Sequence, residues 1–273
     1  MYPNIQKTIL FFAVCMLGVG TLLQIADQKD APSVAIEYRS LNSVDEIVSL
    51  TTPRIPAIAY TRVISLQSLP VKLKKQKFIE LILPAILINK QQIQAQREQL
   101  LRLLDQTSLS QADQRWLEQQ LQRYNTTDPS QLLQKMITLP NSIILAQAAI
   151  ETGWGTSRFF LEANNVFGIW SFNPDEPRIQ ANESRAGKAI YVKRYESLLG
   201  AIEDYFLTLG RGTPYQALRH ASQKSQNPLQ LINHLGSYSE LGEVYIQRLR
   251  SMINHNNLQQ YDLYQLSTIV DQR

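Results

Sequence analysis

Residues 140–170 read PNSIILAQAAIETGWGTSRFFLEANNVFGIW, and the fold turns on how the first half of this stretch is laid down. From Asn141 to Ile150 there is no charge; a single carboxylate, Glu151, then stands two residues before Gly153. Ile144, Ala148 and Glu151 follow an i, i+4, i+7 spacing, which predicts a helix whose apolar stripe faces a core and ends on Glu151. Gly153 is the expected C-cap, placing Glu151 in the last turn beside the negative end of the helix dipole. Burial and nearby unsatisfied carbonyls both disfavour a carboxylate anion, so a carboxyl here is expected to hold its proton and to be able to donate it. Read as residues alone, a glutamate at a helix end is more commonly a solvated surface group, and G-W-G a turn with a packed indole.

Outward from this helix the pattern remains helical. VKLKKQKFIELILPAILINKQQIQAQREQLLRLLD, from Val71 to Asp105, repeats apolar residues at helical spacing and predicts one long helix or two, with Pro84 as a kink. Ser110 with Asp113 forms a capping-box start, and Asp128-Pro129 and Asn227-Pro228 each place a cap before a proline suited to the first helical position. Gly210 and Gly236 read as stops, and EVYIQRLRSMI as a further amphipathic helix. Only KAIYVKRY, preceded by RIQ and a polar loop, reads as a hairpin, giving a small β element around residues 178–194. The expected class is therefore mainly α (α+β).

Toward the N-terminus the character changes. Residues 27–70 carry Pro32, Pro53, Pro56 and Pro70 among serines and threonines and are expected to be an extended tether. Between Lys7 and Asp27 the chain is uncharged and reads TILFFAVCMLGVGTLLQIA, close to the ~20 residues that cross a bilayer. Residues 1–26 are thus expected to be a signal anchor or signal peptide. The positive charge ahead of the segment keeps the amino terminus in the cytoplasm and sends the rest outward. A cut after Ala26 would set Gln24 at the −3 position, which disfavours cleavage and favours an anchor over residues 8–26. Cys15, the single cysteine, lies within this segment, so no disulfide forms inside the chain.

Composition narrows the function. A formal net charge of +4 is far from the basic density that nucleic-acid binding requires, and 44% hydrophobic residues suffice for a core. Motifs for zinc hydrolysis, serine hydrolysis, nucleotide binding and redox chemistry are absent, and His220, His234 and His255 are dispersed, so no metal or cofactor is expected. Trp154, three residues after the acid, has a precedent in lysozyme, where an indole helps keep a glutamic acid protonated. Asn164, Asn165 and Gly168 form a turn-prone stretch carrying Phe167 and Trp170, the amides and flat faces that sugar rings need. Carbohydrate is the indicated ligand.

At these residues a family resemblance enters. LAQAAIETGWGTSRFFLEANNVFGIW, then YVKRYESLLGAIEDYFLTL, TPYQALR and LGSYSELGEVYIQRLRSMI, are similar to the ordered motifs of the glucosaminidase-domain peptidoglycan hydrolases, particularly the Bax-type branch. The resemblance covers residues 137–257, and LKKQKFIELILPAILINKQQI extends it weakly to N-terminal helices. It implies a lysozyme-like helical domain with a small β-hairpin lobe at 137–260, a helical extension at 71–136 and a tail at 261–273. It also implies cleavage of the β-1,4 bond after N-acetylglucosamine in peptidoglycan, which, with the N-terminal segment, gives the expectation of a periplasmic enzyme tethered to the inner membrane. A muramidase or lytic transglycosylase using the same acid, a non-catalytic glycan-binding factor, and N-glycan cleavage are the competing readings.

Carried onto this sequence, the resemblance makes Glu151 the catalytic acid. Tyr238 and Tyr245 line the cleft, Tyr245 being expected to take part in catalysis by orienting water or the substrate's acetamido group, and Tyr191, Tyr195 and Tyr205 match aromatic positions, Tyr205 being expected in the core. Trp154, Asn165 and Phe167 are expected to position the sugar. Glycosidase chemistry wants a second carboxylate, ~5 Å from the first for retention or ~6.5–9.5 Å for inversion. Asp175, Glu176 and Glu183 are the candidates, with the substrate's own acetamido group as an alternative.

Overall fold

The computed structural model describes residues 35–185 and 188–267, with the side chains of 183–188 outside the description. The expected membrane segment at 8–26 lies outside the described residues. Among the described residues no helix is long and apolar enough to cross a membrane.

The central element is α1, Val71–Leu104, which runs through Pro84 without interruption. Its residues from Phe78 to Asn89 are all buried, as expected of a helix surrounded by protein rather than lying on a surface. Asn89 sits inside this stretch because its Nδ2 donates to the carbonyls of Ala85 and Leu199, at 3.0 and 3.1 Å. Around α1 pack α2 (Gln111–Arg123), α3 (Pro129–Lys135), α4 (Asn141–Thr152), α5 (Arg158–Ala163), α6 (Leu198–Arg211), α7 (Gln216–Lys224), α8 (Pro228–Leu231) and α9 (Glu243–His255). The starts follow the local chemistry: Ser110 accepts from the Asp113 amide, Asp128 from Ser130, and Asn227 from Leu229 and Gln230. Gly210 lies within α6 and is no stop; a Cβ there would come 2.5 Å from the Lys135 carbonyl, so this glycine permits close packing of α6 on α3. The chain leaves α6 at Gly212.

The sheets are small. β4 (Arg178–Arg185) and β5 (Lys188–Lys193) form the expected antiparallel hairpin, with Ile179 opposite Val192. The tether expected at 27–70 is corrected over its described residues, 35–70. From Glu37 onward this segment forms β1 (Glu37–Ser40), β2 (Arg54–Ile55) and β3 (Ile58–Arg62), with β1 parallel to β3. Leu41, Ile47, Ile55, Ile58, Tyr60 and Leu66 are buried in the same core as α1, α4 and α6. Burying a side chain of this size stabilises by about 1.5–3 kcal/mol, enough to fix a segment that its prolines mark as irregular. The boundary at 136/137 is corrected too, and so is the tail expected at 261–273 as far as residue 267, the last one described. One hydrophobic core joins Leu41 to Leu258, and β6 (Gln265–Leu266) pairs with β2. Asp262 then accepts from the Ser142 amide and hydroxyl at 2.7 and 2.8 Å, satisfying a free amide at the start of α4.

Candidate active site

The site is built where α4 ends. Ile144 and Ala148 are buried, as the spacing predicts, but Glu151 one turn later is exposed, because it reaches past the core into a cleft. Gly153 caps the helix at φ 59°, and Trp154 and Gly155 follow at φ 61° and 79°. Three successive left-handed residues turn the chain sharply, and the non-glycine among them costs about 1–3 kcal/mol. Packing and hydrogen bonds hold it there. Thr152 Oγ1 accepts from the Gly155 amide at 3.0 Å, and a Cβ on Gly155 would press on Phe78, Phe160 and Leu66 at 3.0–3.3 Å.

This turn sends Trp154 away from Glu151. Its indole meets the edge of Phe78 on α1, with ring centroids 5.6 Å apart, and lies under the Lys75 ammonium at 5.1 Å. It lines a separate cavity of about 370 Å³ with Lys72, Gln76, Tyr261 and Tyr264. The expected wall of indole against the acid is therefore corrected.

Glu151 faces a cavity of about 520 Å³ lined by Arg158, Phe159, Gly168, Trp170, Ala181, Asn182, Ile190 and Val192. Behind it runs a chain of three hydrogen bonds. Tyr245 on α9 donates its hydroxyl to Glu151 Oε1 at 3.0 Å, Gln147 Nε2 donates to that hydroxyl at 3.2 Å, and Tyr205 on α6 donates to Gln147 Oε1 at 2.6 Å. Gln147, Tyr205 and Tyr245 are buried. Protein walls strip water from the Glu151 carboxyl and raise its pKa above the ordinary value; the Tyr245 bond, which favours the anion, offsets this only in part. Tyr245 is shifted upward, first by burial and then by the Glu151 charge, so it stays a neutral donor.

The other expected residues divide. Tyr238 stacks on Tyr245, with centroids 5.6 Å apart and planes at 14°, and so supports the acid from behind. Phe167 is 5% exposed and stacks on Tyr205 at 4.3 Å, making it core instead of a sugar platform. Asn165 is committed to the backbone. Its Nδ2 donates to the carbonyls of Ile169 and Lys193, and its Oδ1 accepts from the Ile169 amide, so it clamps the 165–169 loop to β5. Tyr191 turns to Arg178, whose guanidinium lies 4.1 Å from its ring, and is absent from the cavity lining. Glu176 pairs with Lys193 at 3.7 Å in a different hollow, and Asp175 is exposed in an Asx turn. The Glu183 side chain lies outside the described residues; its backbone is in β4, next to Asn182 in the cavity lining.

With this geometry in place, the chain can be set beside known proteins. Residues 127–258 match the family model described as mannosyl-glycoprotein endo-β-N-acetylglucosaminidase. That segment belongs to the glucosaminidase family. Among relatives, the peptidoglycan hydrolase FlgJ of Salmonella typhimurium is 33% identical over 136 residues, covering 46% of this chain and 42% of its own. Protein bax of Escherichia coli is 25% identical over 197 residues, 67% of this chain and 70% of its own. A C-terminally truncated glycoside hydrolase domain of Salmonella typhimurium FlgJ aligns in structure with a TM-score of 0.35 at 28% identity, covering 51% of this chain and 96% of that one. The chain thus spans less than half the length of FlgJ.

The glucosaminidase segment begins after α2, yet α1 and β1–β3 outside it supply much of its core. Within it, sequence reasoning passed over Gln147, Arg158 and Asn182. Gln147 did leave a signal: it is an amide in an otherwise apolar part of α4, one helical turn before Glu151 and on the same face. Arg158 and Asn182 left none, because only the folding of the hairpin against α5, where Arg158 bonds the Gln180 carbonyl at 2.7 Å, brings them to the acid.

Proposed function

We propose that the chain is a peptidoglycan hydrolase of the endo-β-N-acetylglucosaminidase type, cutting the β-1,4 bond after N-acetylglucosamine with Glu151 as general acid. The observation that carries the reading is the position of Glu151: a carboxyl with raised proton affinity, open to an aromatic-edged cleft and held from behind by a buried tyrosine. It is supported by the family of residues 127–258 and by the relative named a peptidoglycan hydrolase.

In this reading a glycan strand lies along the cavity, with one sugar against Trp170 and its polar edge toward Asn182 and Arg158. Glu151 gives its proton to the glycosidic oxygen as the bond to the anomeric carbon breaks, and positive charge develops on the ring. Tyr245 stays hydrogen-bonded to Glu151 and stabilises the carboxylate that results. Attack at the anomeric carbon comes from water activated by a hairpin carboxylate, for which Glu183 remains the candidate, or from the substrate's acetamido oxygen. The substrate places the enzyme in the periplasm, and residues 8–26 are proposed to tether it to the inner membrane.

Mass spectrometry of fragments released from purified sacculi tests the bond. New reducing ends on N-acetylglucosamine are expected; reducing ends on muramic acid, or anhydro-muramic ends, would move the reading to a muramidase or a lytic transglycosylase.

A further inference from the structure

The hydrogen-bond chain behind Glu151 has a direction, and the direction is set at its far end. Tyr205 is 1% exposed and surrounded by Phe167, Phe206 and Tyr238; among the described residues its hydroxyl has one hydrogen-bond partner, Gln147. Two arrangements of the Gln147 amide satisfy geometry. In the first, Tyr205 donates to Oε1, Nε2 donates to Tyr245, and the Tyr245 proton must point at Glu151. In the second the amide is flipped: Tyr245 donates to Oε1, and its oxygen lone pair faces Glu151. The flip leaves the Tyr205 proton without an acceptor in a buried aromatic site, and an unmet buried donor is heavily penalised. The first arrangement therefore holds whether Glu151 is ionised or neutral.

We infer that Gln147 and Tyr205 are positioning residues: they fix the Tyr245 hydroxyl as a donor to Glu151 Oε1, which leaves Oε2 as the oxygen that carries the acidic proton into the cleft. With the amide flipped, a neutral Glu151 would donate its proton back to the Tyr245 oxygen, away from any substrate. The arrangement thus decides which way the acid points. Besides Tyr245 on α9, the charged or titratable groups facing Glu151 among the described side chains are Tyr238 behind Tyr245 and Arg158 on α5 across the cavity. Arg158 is engaged by Glu162 and the Gln180 carbonyl. None of these groups is bonded to Gln147, so changes at Gln147 or Tyr205 reach Glu151 through Tyr245.

The inference rests on Glu151 being the acid, but its test separates the two. Tyr205→Phe removes one hydroxyl and frees the amide to flip; Gln147→Met keeps the volume and removes the link altogether. In both, the Glu151 carboxyl is titrated by 13C NMR with the protein intact, and sacculus turnover is measured alongside. Expected is a Glu151 pKa that rises in Tyr205→Phe, where the flipped amide takes the Tyr245 proton, and rises less in Gln147→Met, where Glu151 stays the acceptor of that proton but the amide no longer polarises the hydroxyl. In Tyr205→Phe kcat is expected to be lower by about tenfold with KM within about twofold, a pattern that a general loss of packing does not give. A Glu151 titration unchanged from wild type in a folded Tyr205→Phe protein would overturn the inference, even if turnover fell. Should either variant fail to fold, the other carries the same reading of the carboxyl. Full activity in Glu151→Gln would refute the catalytic role alone, since the NMR titration still reports the chain's direction.

Discussion

The two walls of the cleft are built on different terms. Behind Glu151, α4, α6 and α9 meet in a buried wall where Tyr205, Gln147 and Tyr245 are each hydrogen-bonded and the Tyr238 ring stacks on Tyr245. Opposite it, the β4–β5 hairpin and the 168–172 loop make a thin wall whose aromatics face water: Trp170 is 39% exposed and Phe172 84%. The comparison teaches that the proposed acid is fixed by the core, whereas the surface proposed to meet the polymer is held by a few clamps, chiefly Asn165 and the Lys193–Asp204 pair at 2.9 Å. An acid needs its orientation and proton affinity set within narrow limits; a glycan wall needs flat faces and room.

Substitutions on the two sides should therefore differ in kind. Glu151→Gln keeps the shape and removes the proton, and sacculus turnover is expected to fall about 10²–10⁴-fold, the range for loss of a general acid, with the melting temperature held. Asn165→Ala unclamps the thin wall. It should cost about 1–3 kcal/mol in denaturant unfolding, because the half-buried Ile169 amide and Lys193 carbonyl lose their partner. Trp170→Ala should act on binding, raising KM roughly three- to tenfold with kcat nearly unchanged, as removal of about 0.5–1.5 kcal/mol of stacking implies. A fall in kcat at constant KM would instead place Trp170 beside the reacting bond and blur the division. The smallest effect is expected at Trp154→Phe, where turnover should stay within about twofold since the ring faces α1; a larger loss would return that residue to the cleft.

How much of this could be read beforehand follows the range of the interactions. Helix starts at Ser110, Asp128 and Asn227, the Gly153 cap and the hairpin are set within a few residues, and each is where the sequence put it. Glu151 was legible for the same reason. Pairing of β1 with β3 and of β2 with β6 was not, because parallel strands far apart in the chain carry no turn signature between them, so a packed segment read as a tether. Trp154 misled because its neighbour was taken as its partner; the left-handed run at 153–155 reverses the side chain's direction, which composition does not encode. Asn165 and Phe167 have the chemistry of sugar binders, but the backbone and Tyr205 reach them first.

Proton affinity ties the account together. Burial raises the pKa of Glu151 and the Tyr245 hydroxyl, by favouring the anion, holds it back. If protonated Glu151 is the working form, kcat/KM must fall as pH rises through that pKa, so the alkaline limb of wild type should lie above the ordinary carboxylate value. Tyr245→Phe removes the bond that stabilises the anion, and the sign follows: the pKa rises and the alkaline limb moves to higher pH, on a lower plateau. The most direct measurement is the pH dependence of kcat/KM on purified sacculi for wild type and Tyr245→Phe side by side. An alkaline limb that shifts upward in the variant is the predicted result, and one that stays in place or moves to lower pH would contradict Glu151 as the proton donor.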